Sequence, residues 1–447
     1  MTRSVRLAAV VLAAAVIATP TAGHATTAEA RTLTLDDALA MAKKRNRSLV
    51  VEQARLAQAQ TNLSSAWALL LPTIAAQGRY TRNYTDFAFA TPGGPNPADP
   101  SMPNPPRSLL IQPINQLDAV ISFTAPLIVP AAWSGLQSVK AGIAATEANV
   151  EAADDNVMFS VAQAFYAAAG ADEVVVARTS SITVARATLA NAKTRMSAGT
   201  VTKVDVDRAE LALVRAEQLE RDARQGRDQA YRSLATLIQM PDTQRFVVQP
   251  PAALAPASNV PDLQTALQLR PELRSLNLQL KAEELHARSY AWRWAPSLSA
   301  FGNARKFNYD NFNADRYSWA VGAQLDWVIF DGGNRDAQRH LANAQADESQ
   351  AQAAVFADNV RDDMANARGL LDTKRHGVAA ATRSVELATE TIELVRTQYE
   401  AGTVTQVDLL QAQDGLVGAQ LSLVQAKFDV AVADLTLRRA AGTFPPK

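Results

Sequence analysis

Apolar residues along most of this chain recur at intervals of three and four. Val378, Ala381, Val385, Ala388, Ile392, Val395 and Tyr399 follow that rule without a break. So does the series Val407, Leu410, Asp414, Val417, Leu421, Val424, Phe428, Ala431 and Leu435, apart from the charge at Asp414. Ile182, Ala185, Leu189, Ala192 and Met196 carry the same register earlier in the chain. Such spacing puts one side chain per turn on a single helix face, the seam of a coiled coil. In four other stretches the period falls to two, which is a strand with one apolar face. Ile74, Ala76, Gly78, Tyr80 and Tyr84 alternate with polar residues; Leu117, Ala119, Ile121, Phe123, Ala125 and Leu127 do the same. Leu298, Ala300, Gly302 and Ala304 form the third series, and Tyr317, Trp319, Val321, Ala323, Leu325, Trp327 and Ile329 the fourth.

Punctuation fixes the limits of these elements. Thr34 and Asp37 have the spacing of a capping box and open a helical pattern that runs to Leu71, where Pro72 ends it. Strands are expected at about 73–85, 115–128, 297–308 and 316–330. Eight prolines between 91 and 113 predict a long exposed loop without regular structure. From Trp133 to Ala198 runs a helix of 66 residues, about 100 Å at 1.5 Å per residue, and a shorter one returns from Val204 to about Met240. Prolines 241, 250, 251, 256 and 261 mark a linker over 241–261. Beyond it, one helix is expected from Leu263 to Ala295, another of 66 residues from Arg335 to Glu400, and a last one from Val407 to about Ala440.

The plan is given twice. Ala198-Gly199-Thr200-Val201-Thr202-Lys203-Val204-Asp205-Val206 returns as Ala401-Gly402-Thr403-Val404-Thr405-Gln406-Val407-Asp408-Leu409, with seven of nine positions identical. Residues 32–240 and 262–442 therefore form two structural repeats, and 198–205 and 401–408 are their tight helix–turn–helix tips. Gly199 and Gly402 suit the left-handed residue that ends a helix, Thr202 and Thr405 the cap of the next, and Asp205 and Asp408 the carboxylate three residues on.

Composition narrows the function. The 44 basic and 44 acidic residues balance, so nothing marks a nucleic-acid partner. Without cysteine there is no disulfide, thiolate site or N-terminal lipid anchor. Arg3 and Arg6, the apolar run Leu7–Ala18, and Gly23 and Ala25 predict a secretory signal over residues 1–25. His24, His286, His340 and His376 stand without a metal-ligand partner, and no phosphate loop or nucleophile motif is present, so neither an enzyme nor a cofactor is expected. Four amphipathic strands cannot close a barrel, since the smallest take about eight, so copies must share one. Two, three or four chains would supply 8, 12 or 16 strands. Tyr80, Tyr84, Tyr317, Trp319 and Trp327 on the apolar face are the expected membrane-interface aromatics. The helices at 34–71 and 204–240, set end to end, match one 66-residue helix, so a tube of helices continuing the barrel is expected.

With its Leu71-Pro72-Thr73 and Ala295-Pro296-Ser297 approaches to the strands, its Phe330-Asp331-Gly332-Gly333 exit and its two tips, the chain resembles the outer membrane efflux protein family typified by TolC, over about residues 32–442. The resemblance implies an internally duplicated α+β membrane protein, a homotrimer whose four strands per chain make a 12-stranded outer-membrane β-barrel in outer-membrane lipid above a periplasmic α-barrel. It further implies a passive export duct that docks to a periplasmic adaptor protein and an inner-membrane transporter. Asp408 matches the position whose carboxylates line the periplasmic constriction, while Asp205 and Tyr399 match a pair that bonds between hairpins. The family's tip arginine is Val404 here, and a second constriction carboxylate is Gln411. Gly199, Thr200, Val201, Gly402, Thr403 and Val404 are the implied adaptor contacts. A trimeric cell-surface adhesin or structural stalk is the rival reading, although it would place its sheet once, after the stalk.

Overall fold

The computed structural model describes residues 31–91, 93–95, 98–99, 101–102, 104–105, 107–241, 246–249, 260–309 and 315–444. The expected signal over 1–25 and prolines 250, 251 and 256 of the linker lie outside them. Sixteen elements follow in order: β1 (Arg31–Leu33), α1 (Leu35–Arg45), α2 (Arg47–Ala68), β2 (Thr73–Arg82), β3 (Phe87–Thr91), β4 (Arg107–Gln112), β5 (Asn115–Ile128), α3 (Pro130–Ser197), α4 (Lys203–Ile238), β6 (Phe246–Val248), α5 (Leu263–Leu269), α6 (Pro271–Trp292), β7 (Ser297–Phe307), β8 (Tyr317–Asp326), α7 (Asn334–Glu400) and α8 (Gln406–Ala440).

The four long strands form one antiparallel sheet in the order β2-β5-β7-β8. Register brings the expected apolar residues that are paired in the sheet onto one face: Ile74 faces Phe123, Ala76 faces Ile121, Ile121 faces Ala304, Ala304 faces Trp319, and Leu298 faces Leu325. Because side chains alternate along a strand, Gln77, Arg79, Asp118, Ser122, Asn303, Arg305 and Gln324 fall on the other face. Glycine has a specific use here. Phe301 lies over Gly322, where a Cβ would come within 2.9 Å of the ring. The sheet ends on two unpaired edges of equal length, Thr73–Arg82 and Tyr317–Asp326.

Beside the sheet the long helices pair as hairpins, α3 with α4 and α7 with α8. The expected seams agree with burial: Val378, Ala381, Val385, Ala388, Ile392 and Val395 are all sheltered between exposed neighbours. The two larger core clusters lie midway along α3 and α7, where α4 and α8 end. One cluster joins Met158, Val161, Ala162 and Phe165 of α3 to Leu234 and Ile238 of α4 and Ala431 and Leu435 of α8; a second joins Val360, Met364, Ala367 and Leu371 of α7 to Ala433, Leu437 and Ala440 of α8. The C-terminal part of α8 thus packs against both clusters, through Ala431 and Leu435 on one and Ala433, Leu437 and Ala440 on the other.

Five expectations need correction. The helix read over 34–71 is two helices, broken at Asn46. Its Oδ1 accepts the Ser48 N–H at 2.8 Å to cap α2, and its Nδ2 donates to the Leu237 carbonyl at 2.9 Å. The helix read over 263–295 is likewise broken before Pro271, whose ring forces Arg270 into an extended conformation (ψ 115°). The region 91–113 is not wholly irregular: β3 and β4 pair as an antiparallel hairpin, because the prolines leave the two apolar segments 87–91 and 107–112 free. In the linker, Phe246–Val248 pairs in parallel with Arg31–Leu33, and Leu33 and Val248 are buried in the first core cluster. Finally, the first strand stops at Arg82, short of Tyr84, and the fourth at Asp326 rather than 330. Trp327 lies past its end, donating Nε1–H to the Trp294 carbonyl at 3.2 Å, while buried Arg335 draws in the Ile329 carbonyl and Asp331.

The two breaks are equivalent joints. Asn46 ties the start of α2 to the end of α4, and Arg270 ties the start of α6 to the end of α8 through the carbonyls of Arg439 (3.1 Å) and Ala440 (3.5 Å). Each repeat therefore supplies one continuous helix of 68 or 67 residues and one composite rod of two helices laid end to end along it.

Candidate functional site

At the tips the sequence sets the geometry locally. Gly199 and Gly402 take φ of 72° and 76°, a left-handed conformation that costs a residue with a Cβ about 1 kcal/mol or more. The Thr200 N–H then reaches back to the Arg195 carbonyl and the Thr403 N–H to the Gln398 carbonyl, both at 3.0 Å, closing the last turns of α3 and α7. Across each turn a threonine caps the returning helix. Asp205 Oδ2 accepts from the Thr202 backbone N–H (3.0 Å) and hydroxyl (2.7 Å), and Asp408 Oδ2 from those of Thr405 (2.8 and 2.6 Å). The threonine hydroxyl bond, then the backbone bond, holds each of these carboxyl groups below its ordinary value. Arg208 also approaches Asp205, at 3.6 Å. Both aspartates thus stand at helix N-termini, where a negative charge is favoured.

Of the residues singled out from the sequence, Gly199, Thr200, Gly402, Thr403 and Asp408 are exposed at the ends of the hairpins, and Val201, Val404 and Asp205 are half-buried there. Gln411 stands back from the tip, on the wall of a cleft of about 840 Å³ between the two hairpins. That cleft also carries Arg178, Arg208, Arg215, Arg396, Glu400 and Asp414, a mixed lining with a basic excess. Tyr399 is buried, at 5% exposure, whereas its counterpart Met196 is 41% exposed. Within the chain Asp205 is bonded to Thr202 and Arg208, and Tyr399 meets a different residue. The Arg195 guanidinium stacks 4.5 Å from its ring centroid and donates to the carbonyls of Tyr399 (3.1 Å) and Glu400 (3.2 Å). Nothing in the sequence pattern marks Arg195, because a basic residue in the last turn of a helix is ordinary.

At the other end of the molecule, the apolar face of the sheet is bare. Ile74, Tyr80, Leu117, Ile121, Tyr317, Trp319, Val321 and Leu325 are all more than half exposed. Trp327 is exposed at the helix-side end of the sheet, and Tyr84 stands beyond the end of β2. The opposite face holds Asp118, buried, with Gln116 Nε2 donating to it at 2.8 Å and Arg305 at 3.7 Å. No group of histidine, aspartate or glutamate suited to a metal ion occurs among the described residues.

Known proteins share this arrangement. The chain is 32% identical over 123 residues to outer membrane efflux protein BepC of Brucella suis, covering 28% of this chain and 27% of that one. It is 27% identical over 258 residues to alkaline protease secretion protein AprF of Pseudomonas aeruginosa, covering 55% and 52%. The matched stretches therefore span about a quarter to a half of those relatives' own lengths. Among solved structures, the outer membrane channel CmeC of Campylobacter jejuni superimposes with a TM-score of 0.75 at 18% identity, covering 91% of this chain and 85% of that one, a likeness of fold. The family model for outer membrane efflux proteins matches residues 38–238 and 263–443, most of both repeats. The chain belongs to the outer membrane efflux protein family and is an outer-membrane protein whose helices extend into the periplasm.

Proposed function

We propose that three copies of this chain share one barrel of 12 strands and one tube of helices. Together they form the passive duct by which a tripartite efflux or type I secretion system empties from the periplasm to the exterior. The observation that carries this reading is the sheet. Its two edges are unpaired and of equal length, β2 and β8 run in opposite directions, and one face is apolar except for Arg82, Asn115 and Lys306 at the rim away from the helices. In hydrocarbon every backbone N–H and C=O needs a partner, so edge must meet edge between copies until the sheet closes. The apolar face then turns to lipid and the face carrying Arg79, Asp118 and Arg305 to a wet lumen.

In this assembly the tips stand at the periplasmic end. Asp205, Asp408 and Gln411 line the constriction, with any bond between Asp205 and Tyr399 running between copies, and residues 199–201 and 402–404 meet a periplasmic adaptor protein that couples the duct to an inner-membrane transporter. No residue performs chemistry; the duct opens when the partners engage. The names of the relatives, one an efflux protein and one a protease-secretion protein, support export as the common task. The adhesin alternative has no supporting observation, since strands from both repeats build one sheet flanked on each side by helices.

Native mass spectrometry of the full-length protein, extracted from outer membranes with detergent, tests the assembly. A mass of three chains is expected. Release of monomer by osmotic shock without detergent would refute it.

A further inference from the structure

Nearly every polar contact at the tips stays within one hairpin: the capping boxes, the left-handed glycines and the backward bonds of Thr200 and Thr403 all close the turn they belong to. Arg195 breaks that rule. Its backbone carbonyl accepts the Thr200 N–H and hydroxyl of its own turn, both at 3.0 Å, while its side chain crosses to the other hairpin. There it reaches the final carbonyls of α7, at Tyr399 and Glu400, and covers the Tyr399 ring. The last carbonyls of a helix lack intrahelical donors and form the negative end of its dipole, so a cation is the natural partner. The contact is one-sided, because the residue equivalent to Arg195 in the second repeat is the neutral Gln398.

We propose that Arg195 is the positioning residue that latches the second hairpin against the first when the duct is shut. This rests on the reading of the chain as a duct gated at its tips. Position 404 carries valine and can supply no cation, so the charge that ties the tips together comes from α3. The partners of Arg195 here are neutral carbonyls and a ring, with no carboxylate among them. Such a latch holds the hairpins together yet yields when a docking protein pulls them apart. Its neighbour, the bond from Gln413 Nε2 to Thr188 Oγ1 at 2.9 Å, joins the same hairpins without charge. Arg195 binds the carbonyls and the ring face, so its contact is separate from any bond that the Tyr399 hydroxyl makes to another copy.

The test uses full-length protein reconstituted in planar lipid bilayers, with resting conductance as the readout and detergent-extracted oligomer mass as the folding control. Arg195→Ala is expected to raise the resting conductance at least tenfold. Arg195→Lys, which keeps the charge but loses the paired donors, should fall between it and wild type. Arg186→Ala, which removes a cation of α3 bonded to Glu217 within its own hairpin, should leave the resting level unchanged. A wild-type resting level in both Arg195→Ala and Arg195→Gln would overturn the latch, as would opening by Arg186→Ala as large as that by Arg195→Ala. If wild type and Arg195→Ala both insert as trimers but conduct under no applied voltage, the duct reading itself fails and the latch with it.

Discussion

Asn46→Asp changes one side-chain group and separates two roles. As a helix cap, aspartate is as good as asparagine, so if Asn46 did nothing but cap α2 the substitution would cost nearly nothing. The structure gives the side chain a second bond, from Nδ2 to the Leu237 carbonyl at 2.9 Å, at a residue only 5% exposed. That carbonyl has no intrahelical donor to turn to, because position 241, four residues on, is proline. Replacing the NH₂ by oxygen leaves it unsatisfied, at about 1–3 kcal/mol. Setting a carboxylate at the negative end of α4 adds about 0.3–1 kcal/mol. The expected loss is about 2–3 kcal/mol, concentrated at the joint between α2 and α4 and worth at least a tenfold rise in local opening. Amide hydrogen exchange over 234–240 on the detergent-solubilised protein reads it directly. Asn46→Ala, which loses the cap as well, should exchange faster than wild type at both helix ends. If Asn46→Asp exchanges like wild type while Asn46→Ala does not, the residue is only a cap, and the proposed joint between the two rods is wrong.

Other substitutions probe the remaining features. Arg270→Ala removes a buried guanidinium that bonds Glu272 and two carbonyls at the end of α8, and should destabilise the second joint by about 3 kcal/mol, seen as exchange over 434–441. Val321→Lys on the bare face of β8 should cost about 2–4 kcal/mol of membrane insertion, whereas Gln324→Lys on the opposite face should cost little; equal loss of outer-membrane protein in both would refute the assignment of faces. Tyr231 donates its hydroxyl to Asp172 at 2.5 Å and accepts the Val248 N–H, and burial raises its pKa to about 12. The folded state thus holds this proton more tightly than the unfolded one, so its contribution is full below pH 10 and is lost as pH rises from about 10 to about 12. Circular dichroism should show Tyr231→Phe with a shallower alkaline transition. At the tips the sign reverses: Asp205 and Asp408 have depressed pKa values, so their capping is present above the ordinary carboxylate range and is lost as pH falls through the depressed values. Amide exchange in the first turns of α4 and α8 should accelerate in acid, and Asp408→Asn should abolish that dependence in α8.

What could be read from the sequence is what the sequence settles locally. The seam from Val378 to Val395, the alternating strands and the glycine–threonine–aspartate tips each follow from residues a few positions apart, and all stand where the pattern places them except that Tyr84, Trp327 and Ile329 fall beyond the strand ends. The joints depend on residues 191 and 169 positions away, so Asn46 and Arg270 read as interior residues of helical runs. β1 and β6 are three residues each, too short for periodicity to register, and are held by pairing with one another. For the candidate gate, the aspartates and Tyr399 were legible as residues but not as contacts. Asp205 engages Thr202 as its spacing predicts but also meets Arg208, and Arg195 looks like a basic last-turn residue until the carbonyls it meets prove to belong to another helix.

The two tips are near copies, yet they differ where one of them is buried. Lys203 and Gln406 both open the returning helix of a hairpin, but Lys203 is exposed, whereas Gln406 is 3% exposed and neither amide atom has a partner among the described residues. A buried polar group left unbonded costs about 1–3 kcal/mol, while an apolar side chain of similar size in its place costs little. Gln406→Leu should therefore stabilise the second tip by about 1–2 kcal/mol, slowing amide exchange over 400–410. Gln406→Lys, which installs the residue of the first copy, should destabilise it by burying an unpaired charge. If Gln406→Leu instead loosens the tip in the assembled protein, the amide is bonded there by another copy, and residue 406 joins Arg195 among the contacts that hold the hairpins together.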